Sequence, residues 1–174
     1  MRRQAIRWAL PLVLLASVGV GAALAATASR TSTGTVSTAK SAKFGTILVA
    51  KNGRTLYRYT LDRKGVNKCT AVAICRKYWP QLLVKAGTGP TVGGAANAGL
   101  VGTIKAKTGW RQVTYAGYPL YTFAGDSGAG QVKGQGFQSE WYVVNTKGAF
   151  VKHAVSSGGG GGGNTTTTTG AGWG

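Results

Sequence analysis

The chain has 174 residues, with 21 lysines and arginines against three carboxylates, and a formal net charge of +18. One histidine and two cysteines are too few for a zinc or transition-metal centre, and the shortage of acids, bases and nucleophiles disfavours catalysis. The charge excess favours polyanions such as teichoic acids, acidic polysaccharide, an anionic lipid surface or nucleic acid, although the cations are scattered rather than gathered in a run.

The first element is a secretory signal over residues 1–28. Arg2, Arg3 and Arg7 form its basic start, Trp8 to Ala25 are apolar, and Ala23-Leu24-Ala25 is a small-x-small cleavage site, with Ala26-Thr27-Ala28 a second candidate. The expected destination is the exterior or the cell envelope after cleavage. The alternative is an uncleaved membrane anchor, since the apolar run approaches the span of a bilayer. No cysteine follows the run to carry a lipid, and export makes an intracellular nucleic-acid role unexpected. Residues 29–43, rich in Ser, Thr, Ala and Lys, read as a flexible linker.

The foldable part is expected over residues 44–155, enough for one hydrophobic core. GTILVAK leads into Asn52-Gly53 and RTLYRYTL, a strong hairpin signal. A two-residue loop there would place Val49 opposite Leu56, Leu48 opposite Tyr57 and Thr46 opposite Tyr59. Cys69 and Cys75 follow. An even cysteine count in an exported domain predicts a disulfide, and the C-x5-C spacing favours a structural bond over a redox pair. The CTAVAICRKYW stretch has room for one helical turn. QLLVKA, LVGTIKA, WYVV and AFVKH are further strand candidates.

The chain then repeats itself. Shifted by 64 residues, Val49, Gly53, Leu56, Tyr57 and Asp62 fall on Val113, Gly117, Leu120, Tyr121 and Asp126, and Tyr59 falls on Phe123. Each copy runs on to a tryptophan, Trp79 or Trp141. In the second copy Ala116-Gly117 occupies the turn, with Val113 opposite Leu120 and Gln112 opposite Tyr121. Alternation puts Tyr57 with Tyr59, and Tyr121 with Phe123, on one face, with Leu56 and Leu120 on the other. No segment from 44 to 155 has sustained helical periodicity. The fold class is therefore all-β: a small sandwich or barrel of two pseudo-symmetric repeats, about 44–90 and 108–150. The Gly/Thr-rich residues 156–174 read as a disordered tail.

Two of the three acids, Asp62 and Asp126, recur at one place in both copies. The expected role is to brace the turn after each strand; a carboxylate pair for acid–base chemistry is the alternative. Tyr57, Tyr59, Trp79, Tyr121, Phe123 and Trp141 are expected to fill the core, with a stacking site for a sugar ring or planar ligand as the alternative. His153 has no nucleophile-elbow partner. No metal site and no cofactor is expected.

The combination of Gly-x-x-LYxYxxD, the two cysteines, Trp79-Pro80, QVTYAGYPLY at 112–121 and a second Asp126-ended copy resembles the bacterial family of secreted repeats of unknown function. Its members are predicted lipoproteins and secreted proteins with a Y-x4-D motif. The resemblance spans about residues 44–145 and implies export and duplication without implying an activity. The reading is a secreted or envelope-associated, non-enzymatic β-domain that binds anionic envelope polymers or a membrane surface through its charge, with no obligate oligomer. The alternative is a small-ligand or redox module using its aromatic faces and Cys69/Cys75.

Overall fold

The computed structural model describes residues 34–155. The expected signal, the first residues of the linker and the expected tail lie outside them. The strands are β1 (Thr35–Ser41), β2 (Gly45–Val49), β3 (Tyr57–Tyr59), β4 (Leu83–Lys85), β5 (Thr91–Val92), β6 (Val101–Lys105), β7 (Trp110–Tyr115), β8 (Tyr118–Pro119) and β9 (Trp141–Val143). One short helix, α1 (Ala73–Tyr78), and 3-10 turns at Cys69–Ala71, Ala98–Leu100 and Phe137–Ser139 complete the domain. No helix among the described residues is long and apolar enough to cross a membrane.

The all-β class holds, and the sheets are open rather than closed into a barrel. The described residues form three: β2-β1-β5, β3-β9 and β4-β7-β6 with β8 on β7. Each repeat opens with an antiparallel hairpin, β1/β2 in the first and β6/β7 in the second. Residues 35–41, expected in a linker, are therefore β1. Val36 there is fully buried and Thr35, Val36 and Thr38 are β-branched, which suits a pleated strand. Of the predicted strands, QLLVKA, LVGTIKA and WYVV appear, whereas AFVKH forms no strand and is tied to the β9 segment by a bridge from Phe150 to Val144 and a bond from Val151 N–H to Val143 O. The predicted helical turn is α1.

The two turns differ in length, and this changes the predicted register. In the second copy Ala116 (φ 50°) and Gly117 (φ 85°) close a two-residue turn between Tyr115 and Tyr118, as expected for a type I′ hairpin. Leu120 N–H donates to Val113 O there. In the first copy Gly53 N–H donates to Ala50 O and Ala50 N–H to Arg54 O. Gly53 alone is left-handed, with φ 74°. This is a three-residue loop with a glycine bulge. Val49 consequently bridges Thr55, not Leu56, and Leu56 N–H donates to Leu48 O. Tyr57 and Tyr59 pair with Val143 and Trp141 of β9 instead of with β2. The structural counterpart of Val113 is thus Leu48, one residue from Val49. Beyond the second turn Tyr121 leaves Gln112 and bridges Gln81 and Tyr57.

The repeats are intertwined around a pseudo-dyad. Tyr57 N–H donates to Tyr121 O at 2.8 Å and Tyr121 N–H to Tyr57 O at 3.0 Å. A residue and its repeat counterpart exchanging both bonds is what a two-fold axis between them requires. The end of each repeat pairs with the other repeat. Val113 N–H donates to Leu82 O and Leu48 N–H to Val144 O, each at 2.8 Å; Ala124 N–H donates to Tyr78 O and Thr60 N–H to Glu140 O, again at 2.8 Å. Neither repeat can complete its strands alone. Two clusters of side chains follow from the alternation. Leu48, Leu56, Leu82, Val113, Leu120 and Val144 fill one. Tyr57, Trp79, Tyr121, Phe123 and Trp141 fill the other.

Candidate functional site

The duplicated motif residues meet at the dyad. Tyr57 Oη donates to Asp126 Oδ2, and Tyr121 Oη donates to Asp62 Oδ2, both at 2.7 Å. Each tyrosine thus bonds the aspartate of the other repeat. The second oxygen of each carboxylate holds the turn after its own strand: Asp62 Oδ1 accepts Lys68 N–H at 2.7 Å and Asp126 Oδ1 accepts Lys133 N–H at 2.9 Å. The turn-bracing expected from sequence is present in this geometry, and a second, inter-repeat bond accompanies it. Both aspartates are buried, Asp126 completely. No hydrogen bond joins them, and all four carboxylate oxygens are engaged, which is not the arrangement of a shared-proton carboxylate pair.

Burial sets the electrostatics of this pair of bonds. It raises both carboxyls above the ordinary aspartate value, against the opposing pull of their hydrogen-bond donors and of Arg58 near Asp62 and Arg54 near Asp126. Burial, reinforced by the adjacent carboxylate, also holds the Tyr57 and Tyr121 phenols far above the ordinary tyrosine value. The two nearby arginines reach across the fold. Arg54 Nη2 donates to Phe123 O at 2.6 Å, and Arg58 donates to Gly148 O while lying between the rings of Tyr118 and Phe150.

The aromatic residues form one ring stack through the dyad. Trp79 and Trp141 lie face to face with centroids 3.7 Å apart and planes 3° from parallel. Tyr59 covers the other face of Trp141 at 4.4 Å, and Phe123 lies over the other side of Trp79 at 4.5 Å. Tyr57 and Tyr121 meet the indoles edge-on at 5.4 and 5.1 Å. Five of these six rings are buried, and Tyr59 is half-buried and packs against them. Each indole face is covered by another ring, so neither indole presents a face for stacking a sugar ring or planar ligand. Gly134 lets the backbone pass close by: a Cβ there would stand 2.8 Å from Trp79 Cη2 and 3.0 Å from Tyr57 Cζ. Gly134→Ala is expected to cost about 1–3 kcal/mol by overpacking, read as a lower urea midpoint, even though its backbone conformation suits alanine.

Cys69 and Cys75 form the predicted disulfide. It ties the 3-10 turn after Asp62 to α1. Cys69 is buried in the aromatic cluster. His153 is exposed, beyond the last strand. Among the described residues no three His, Cys, Asp or Glu side chains gather into a metal site.

One feature of the surface was not legible in the motif. Residues 72–78 and 137–140 precede the two tryptophans and occupy related positions about the dyad. The first is a disulfide-tied helix; the second is an irregular turn with Gln138 (φ 52°) and Ser139 (φ 57°) in the left-handed region. Between them lies a cleft of about 360 Å³, floored by the edges of Trp79 and Trp141 and walled by Ile74, Tyr78, Phe137 and Glu140. Glu140 and Phe137 belong to no motif that the two copies share. The available signal is positional: Glu140 directly precedes Trp141 where Tyr78 precedes Trp79.

A duplicated β-module whose copies complete each other through crossed Tyr–Asp bonds is the class this geometry defines. The chain belongs to the family described as "secreted repeat of unknown function", which matches it twice, over residues 38–82 and 102–145. Both matches begin inside or beside the hairpins β1/β2 and β6/β7, earlier than the repeat bounds expected from sequence. No curated protein and no solved structure matches the chain.

Proposed function

We propose that this domain is a non-enzymatic module of the cell exterior that adheres to anionic envelope polymer through its surface charge. The supporting observation is where the few acids lie. Asp62 and Asp126 are buried and engaged internally, which leaves the half-buried Glu140 as the one carboxylate of residues 34–155 that reaches the surface. Lys51, Arg63, Lys64, Lys77, Lys133 and Lys147 are all exposed. Burying the acids leaves the cations uncompensated on the outside, and the resulting positive field attracts polyanions over roughly a Debye length, about 8 Å at physiological ionic strength. The same family description, a secreted repeat, agrees with an exterior location.

The test is co-sedimentation of the purified chain with wall preparations bearing teichoic acid, at rising salt. Binding at about 20 mM NaCl is expected, with a loss of at least tenfold in affinity by about 300 mM, as screening shortens the field. Binding that ignores ionic strength, or absence of binding at low salt, would refute the reading.

A further inference from the structure

The cleft between α1 and the Phe137–Ser139 turn has the make-up of a small-ligand site. Its walls are apolar and open: Val72 is 49% exposed, Ile74 59%, Tyr78 42% and Phe137 40%. These four large side chains gather around one cleft, whereas single exposed apolar residues elsewhere would need no explanation. Volume and lining fall in the range of small-molecule pockets, which combine an apolar wall with a few convergent polar groups.

The polar groups are specific. Glu140 is the one carboxylate of the described residues that is not buried, and the Tyr59 hydroxyl hydrogen-bonds it. In a chain with 21 cations, a carboxylate on the wall of a cleft lined by exposed apolar side chains suits a cationic ligand. The Tyr59 hydroxyl lies beside it, and burial, with Glu140's charge and hydrogen bond added, raises that phenol so that it stays a neutral donor. Of the rings in the cleft, Tyr78 is already approached by a cation, with Lys77 Nζ 5.5 Å from its centroid. A cation held by aromatic faces and a carboxylate gains both quadrupole and charge attraction.

We infer that this cleft binds a small organic cation with an apolar body, an alkyl- or aryl-ammonium, with Glu140 as counter-ion, Phe137 and Tyr78 against the ammonium substituents, and Ile74 against the apolar end. The stacked indoles contribute their edges as a rigid floor rather than a stacking face. The site is distinct from the diffuse positive surface, and screening at ordinary salt confines that surface's repulsion of a cation to short range.

The experiment is calorimetric or fluorescence titration of the full chain with benzyltrimethylammonium, with benzyl alcohol as the neutral comparator, at 150 mM NaCl. Saturable binding with a Kd of about 1 mM is expected for a ligand of this size, with benzyl alcohol at least tenfold weaker. Glu140→Gln is expected to weaken the ammonium about tenfold and to leave the alcohol unchanged, while Phe137→Ala weakens both. Glu140 is only half-buried and glutamine keeps an oxygen for the Tyr59 hydroxyl, so the Gln variant is expected to keep the fold, checked by an unchanged urea midpoint. No saturable binding of the ammonium, equal binding of the alcohol, or an unchanged Kd in Glu140→Gln would each overturn the inference. Because charge attraction to wall polymer is read by salt dependence, either result can fail without the other.

Discussion

Trp141→Ala is expected to cost about 3–5 kcal/mol of folding stability, the upper range for loss of a large buried ring. Trp141 is 2% exposed. Its indole is stacked by Trp79 on one face and Tyr59 on the other, and Tyr121 meets its edge. Removing it uncovers a ring from each repeat and opens a cavity on the axis. Trp79→Ala, in contact with Tyr57, Phe123 and Phe137 as well as Trp141, should cost a similar amount. The two losses are not independent, since each variant already forfeits the 3.7 Å stack. The double variant is therefore expected to cost less than the sum by about 1 kcal/mol or more. Urea unfolding of the four proteins of this cycle measures it. Additive losses would mean that the indoles stabilise their own repeats separately, and the stack contributes little to joining them.

That the stack joins the repeats could not be read from the sequence, although its members could. The 64-residue shift aligns Tyr57 with Tyr121 and Asp62 with Asp126, and alternation puts Leu56 and Leu120 on the opposite face. Both are local patterns, and both hold. Which repeat each residue serves is a non-local matter. Within one copy, Tyr57 and Asp62 are five residues apart, and the natural reading is a local brace. In the fold, Tyr57 reaches Asp126, 69 residues away. The register error has a smaller cause. Asn52-Gly53 is compatible with a two-residue turn and with a three-residue loop ending in a left-handed glycine. Lys51 joins the loop, and every pairing before it moves by one residue. β1 was hidden because TVSTAKS has few large apolar residues, and its burial comes from the sheet around it rather than from its own hydrophobicity. The cleft was hidden for a different reason. It lies where the two copies differ, among residues that no shared pattern marks.

Removing either aspartate is the second change with a large expected effect. Asp126→Ala strands the Tyr57 hydroxyl and the Lys133 N–H inside the fold, and is expected to cost about 3 kcal/mol, since each orphaned buried group costs about 1–3 kcal/mol. Asp126→Asn keeps an oxygen for the Lys133 N–H and loses only the proper acceptor for Tyr57; about 1 kcal/mol is expected. Tyr57→Phe falls between, at about 2 kcal/mol, because a buried carboxylate oxygen loses its donor and Gly134 N–H loses the Tyr57 oxygen it reaches at 3.3 Å. The pseudo-dyad predicts the same order for Asp62 and Tyr121. The pH dependence then follows from the direction of the two carboxyl shifts. Both folded-state values are raised by burial, so between the unfolded value, about 3.9, and the higher folded value the native state binds more protons than the unfolded chain. Stability from these groups is fully present below about pH 3.9 and is lost as pH rises through their folded values. Most proteins weaken on acidification because ion-paired carboxylates must be protonated. Here the chain has three acids in all, and two of them favour the protonated fold. Thermal unfolding is therefore expected to show a midpoint at pH 4 at least as high as at pH 7, and the Asp62→Asn/Asp126→Asn double variant should flatten that slope. A wild-type midpoint that drops on going from pH 7 to pH 4 would mean that the hydrogen bonds and the two arginines outweigh burial, and that the crossed Tyr–Asp bonds hold the repeats together as charged rather than neutral links.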